Sequence, residues 1–204
     1  GLAVIAATLV MPEINAQKGA SAFCAPLRHL SESGVDYTVY SVAFSREEYI
    51  FYAKHKHTPF LVDDWPVQAP AEMAPAEFVA QQRALGNALR KATDAVAIAD
   101  WARITDAEVE ALRAKSESVF SFAKAKSPLV DEFKAAVGKS VQDFALNAAA
   151  DGPTFIIVQE GDWRWLLPFA PDLRGFTLLK RASVGSDKVL LLANSAGVSL
   201  AERG

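Results

Sequence analysis

The sequence predicts a mixed α/β protein. Three observations carry this. Strand and helix periodicities alternate over the first third, a helical period runs through the middle, and strand patterns return near the C-terminal end. The expected architecture is an N-terminal βαβαβ unit over residues 1–67, a helical region over 76–150, and a C-terminal antiparallel β-meander over 154–193. The strands of that meander could share one sheet with the N-terminal unit.

Each element has its own local reason. The apolar run Leu2 to Met11 is stopped by Pro12 and reads as a buried strand. A bilayer span takes about 20 apolar residues, so this run is too short to cross a membrane. It also fits the remnant of a signal-peptide core, because Asn15-Ala16-Gln17 resembles a cleavage region. The chain opens on Gly1, so a processed or truncated N-terminus is expected. Ala22 to Ser33 has helical spacing through Leu27 and Leu30, and Gly34 follows as a natural C′ residue. Val35 to Phe44 is rich in Val, Tyr and Thr, which suit a half-buried strand. Ser45 and Glu48 form a capping box for a helix running to about Lys56, and Phe60-Leu61-Val62 follows Pro59 as the next strand.

Pro66, Pro70 and Pro75 among alanines mark residues 66–76 as a linker, with Pro75 suited to the first turn of the next helix. Phe78, Gln82, Leu85, Leu89, Ala92 and Val96 then keep one stripe at helical spacing. Thr105 and Glu108 form a second capping box, with Val109, Leu112, Val119 and Phe120 behind it. A third helix starts at Ser127-Pro128 and presents Val130, Phe133, Val137, Val141 and Phe144 on one face. Four strand candidates follow: Phe155 to Val158, Trp163 to Leu167, Phe176 to Lys180 and Val189 to Leu192. Gly161-Asp162 and Gly185-Ser186-Asp187 read as tight turns between them.

Composition narrows the function classes. The chain is 51% hydrophobic and carries a net charge of -3, which argues against disorder and against nucleic-acid binding through bulk positive charge. Cys24 is the single cysteine, so no intrachain disulfide forms; this tilts toward a reducing intracellular compartment.

Several motifs dissolve on inspection. Gly138-Lys139-Ser140 has the letters of a phosphate-binding loop, but Phe133 stands where the loop needs its first glycine and the segment is helix-periodic. Ser121-Phe122-Ala123-Lys124 matches an acylation motif without its companion elements. His55 and His57 on an extended segment could share one metal ion. Flanking lysines disfavour a cation there and spacing fixes no third ligand, so no metal is expected. Trp163 and Trp165 on one strand face are either a sheet-packing pair or an exposed aromatic platform for a partner. Cys24 falls at the expected first turn of its helix, where backbone dipoles lower a thiol's pKa; the competing reading is a buried, inert thiol.

Ser21-Ala22-Phe23-Cys24-Ala25-Pro26-Leu27-Arg28, Glu32 to Tyr37, and Thr58-Pro59-Phe60-Leu61-Val62-Asp63-Asp64 together resemble the thioredoxin-like N-terminal domain of glutathione transferases. The resemblance implies that Cys24, or Ser21, activates the glutathione thiol. It further implies that Thr58 and a cis Pro59 clamp the cysteinyl part of the peptide, with an all-helical domain following. The family's Glu-Ser pair for the γ-glutamyl group has no counterpart over residues 65–76, and the strand-rich tail has no place in a transferase. Two expectations follow. One is a glutathione- or thiol-dependent transferase or reductase-like protein, with glutathione as cofactor. The other is a non-catalytic binding or assembly subunit, a homo-oligomer or the companion of another protein, using exposed apolar or Trp surface. Neither involves nucleic acid or a transmembrane span.

Overall fold

The computed structural model describes residues 19–42, 47–60, 73–127, 129–150 and 152–203. The expected strand at Leu2–Val10, the Ser45 capping box and most of the 66–76 linker lie outside them. The chain is mixed α/β and divides into two units. One takes Gly1–Phe60, Asp151–Glu160 and Phe176–Gly204, the other Leu61–Ala150 and Gly161–Gly175.

The first unit is built on one five-stranded sheet. Strand β1 (Thr38–Val42) pairs in parallel with β2 (His57–Phe60) on one side and with β3 (Thr154–Gln159) on the other. Strands β4 (Thr177–Val184) and β5 (Asp187–Ala193) form an antiparallel hairpin, and β5 rather than β4 runs beside β3. The order is therefore β2-β1-β3-β5-β4. Phe155, Ile156, Ile157 and Val158 of β3 are all fully buried, as the near-continuous apolar run of a central strand requires. Pro59 is tolerated because β2 is an edge strand, where a missing N–H need not break a second ladder. Gly185, at φ +63°, makes the β4–β5 turn as expected.

Helix α1 (Ala25–Glu32) precedes β1, and α2 (Glu47–Ala53) makes the crossover from β1 to β2. The end of α1 follows the sequence expectation closely. Gly34 sits at φ +69°, its N–H donates to Ser31 O at 3.1 Å, and Val35 N–H reaches Leu30 O at 3.4 Å, a Schellman closure. Register places Val39, Phe155, Ile157, Leu191 and Ala193 on one sheet face. Phe23, Leu27 and Leu30 from the α1 segment, with Tyr49 and Ala53 of α2, complete the core over that face. Helix α7 (Ser195–Ala201) closes the unit. Asn194 Oδ1 accepts from Gly197 N at 2.8 Å and from Thr154 N at 3.1 Å, so one side chain caps the helix and ties it to β3.

The second unit is helical. Helix α3 (Pro75–Asp94) opens with proline in its first turn, α4 (Asp106–Lys124) carries the expected Thr105–Glu108 capping box, and α5 (Val130–Ala149) buries Val130, Phe133, Val137, Val141 and Phe144 as its stripe predicts. Helix α3 packs on α4, and α4 on α5. Among the described residues no helix is long and apolar enough to cross a membrane.

One expectation is corrected. Trp163 to Leu167 is not a strand, and Gly161-Asp162 is not a hairpin turn. Both lie in helix α6 (Glu160–Leu166), followed by a 3-10 turn at Pro171–Gly175. The four-strand meander is thereby reduced to a hairpin, with its later strand beside β3. Tertiary burial of Trp163, Trp165 and Leu166 outweighs the β preference of the Trp-Arg-Trp alternation.

Candidate functional site

Cys24 does not occupy a helix N-terminus. Residues 19–23 are already helical, Cys24 N–H donates to Ala20 O at 2.9 Å, and Cys24 O accepts from Arg28 N at 2.9 Å. The amides that would stabilise a thiolate are thus spent within the helical run. The side chain is fully buried among Phe23, Leu27 and Tyr49, and its Sγ lies 3.7 Å from Tyr49 O. Burial pushes the thiol up to about 12 against the weaker opposing pull of Arg28 and Lys180. The expected low-pKa, accessible sulfur is corrected to a protonated core thiol.

Its expected companions are Ser21, Thr58 and Pro59. Ser21 is half-buried, 3.5 Å from Arg28 Nη1. Thr58 and Pro59 are exposed on β2, paired with Tyr40 and Ser41, and the described residues contain no cis peptide bond. The same strand carries a pair that sequence reasoning missed. His57 is buried, and its Nδ1 lies 2.8 Å from Ser41 Oγ on the neighbouring strand. Burial, helped by His55, pushes the imidazole down to about 4, so it is neutral at physiological pH. His55 turns elsewhere and stacks on Tyr37 with ring centroids 4.0 Å apart. No group of three metal-ligating side chains occurs among the described residues.

The tryptophans form no exposed platform. Trp163 and Trp165 are both buried, and Trp165 Nε1 donates to Asp162 Oδ1 at 3.2 Å. Asp162 is itself buried and also accepts from Arg90 Nε at 2.8 Å and Nη2 at 2.5 Å. Arg164 lies over the Trp101 ring at 5.1 Å and donates to Asp94 O. These contacts anchor α6 within the helical unit. The Gly138-Lys139-Ser140 triplet lies inside α5, where the helical ladder already uses its amides.

Among the described residues, one space with room for a ligand lies between α3, α4 and α5. It is a cavity of about 380 Å³ whose floor includes Phe78, Val130 and Phe133 and whose rim includes Leu85 and Phe122. It exists because the α3 stripe is only half used. Phe78 and Leu89 are buried, whereas Gln82 and Leu85 from the same stripe line the open space. Phe122 is 68% exposed, a large apolar side chain left at the mouth. Four polar side chains belong to this lining: Gln81, Gln82, Lys126 and Ser127. Gln82 Nε2 is buried without a hydrogen-bond partner among the described residues, and Lys126 Nζ sits 4.4 Å from the Phe122 ring centroid. No sequence signal marked this space, since Gln82 reads as a member of the helical stripe.

No family model, no curated protein and no solved structure matches this chain.

Proposed function

We propose that the protein is a non-catalytic binding protein that takes an apolar small molecule into the cavity of its helical unit. The observation that carries this is the lining itself: about 380 Å³ of space bounded almost wholly by apolar side chains, with a single charged group. Small-molecule sites are concave clefts of about 300–1,000 Å³ with a few placed polar groups, and this cavity has that character. Glutathione- or thiol-dependent transfer through Cys24, with Thr58 and Pro59 as the clamp, is the weaker reading, because the sulfur would have to leave a closed core.

The test uses a neutral apolar dye, N-phenyl-1-naphthylamine. It should bind saturably at one site and gain fluorescence. Ala84→Trp and Ala88→Trp, which fill the cavity from exposed positions on α3, should each abolish the signal with the far-ultraviolet circular dichroism unchanged. Absence of saturable binding, or binding retained by both filled variants, refutes the proposal.

A further inference from the structure

We infer that the ligand of this cavity is a single-chain fatty acid, its chain inserted between α3, α4 and α5 and its carboxylate held at the rim by Lys126. The inference rests on the binding function proposed above. Lys126 is the only ionisable side chain in the lining. Its neighbours are neutralised: Lys124 pairs with Asp131 at 2.5 Å and Lys134 with Glu117 at 2.6 Å. Lys126 makes no ion pair among the described residues and instead rests over the Phe122 ring. An ammonium at an apolar mouth, in a chain of net charge -3, selects an anion locally against the sign of the whole.

Beyond Lys126 the lining is mostly apolar, with Gln81, Gln82 and Ser127 its other polar side chains, so a ligand with many hydroxyls or amides along its length would lose hydrogen bonds on entry. One anionic head on one apolar chain is the chemistry that matches a single ammonium at an apolar mouth.

Displacement of the bound neutral dye by three ligands of equal chain length tests this: dodecanoate, dodecanol and dodecyltrimethylammonium, at low ionic strength. Dodecanoate should displace the dye at about two- to fivefold lower concentration than dodecanol, the worth of one exposed ion pair. That ratio, read within each variant, should fall to about one in Lys126→Gln and should favour the trimethylammonium in Lys126→Glu. Equal displacement by all three heads, with the dye still bound, overturns the fatty-acid assignment and leaves the binding function standing. Adsorption to phosphatidylglycerol vesicles without displacement by dodecanoate also overturns it. A protein that binds no dye removes both.

Discussion

Alkylation of Cys24 by iodoacetamide discriminates between thiol chemistry and a structural thiol. At about pH 8 a thiol with the ordinary value of 9.0 is about one-tenth thiolate, whereas one raised to about 12 is thiolate in about one molecule in ten thousand. Ionisation alone therefore slows attack about a thousandfold. Access slows it further, because the sulfur has no exposed surface and the reagent must await an opening of the segment around Phe23, Leu27 and Tyr49. If that opening costs about 5 kcal/mol, the low end of domain stability, attack through the open form is slowed by several thousandfold. The assay is the appearance of a single adduct by mass spectrometry, for the native protein and for the chain in guanidinium chloride, across a range of pH. Native alkylation should be slower by several orders of magnitude. A native rate within tenfold of the unfolded one, or a reactivity midpoint below pH 8, refutes the argument and restores Cys24 as a candidate nucleophile.

Two further outcomes concern stability. The folded His57 value, about 4, lies below its ordinary 6.5, so its stabilising contribution is present above 6.5 and is lost as pH falls through 4, by about 3 kcal/mol in all. Urea unfolding should show a steeper acid loss in the native sequence than in His57→Gln, which keeps the acid-sensitive Glu32 and Glu108 carboxylates; equal slopes refute it. Gly197→Ala should destabilise by about 1–3 kcal/mol despite alanine's better helix propensity. The new Cβ would lie 2.8 Å from the Thr154 backbone oxygen and 3.1 Å from the Ala193 Cβ, neither of which yields readily. A variant as stable as the native protein in thermal unfolding contradicts this.

What could be read in the sequence was what is decided locally. The Thr105–Glu108 box, the Gly34 closure and the Val130-to-Phe144 stripe each depend on residues within a few turns, and each is where its spacing places it. The mixed α/β class followed from the same signals. What could not be read depends on distant partners. Glu160–Leu166 is helical with Asp162 held by Arg90 and both indoles buried, none of which a window around Gly161 contains. Strand order was equally hidden, since β3 chooses β1 and β5 from opposite directions along the chain. For Cys24 the buried, inert alternative fits, and only its place in the helical run was misread, because Pro26 marks an early helical position while the helical turn at residues 19–23 carries no comparable signal. The cavity was not legible: Gln82 read as a member of its stripe, and the failure of that stripe to close appears only in three dimensions.

The seating of β1 between β2 and β3 has a consequence for biogenesis. During translation β1 and β2 emerge together, but the neighbour that completes the ladder on β1's far side follows only after all three long helices. Until then a row of peptide groups stands ready to recruit any extended segment nearby. Pairing of β3 with β1 across the intervening helical segment is a non-local closure, the kind of contact that slows folding. Nascent chains stalled between α5 and β3 should be the aggregation-prone species, and a chaperone that shields strand edges should act on them during that interval.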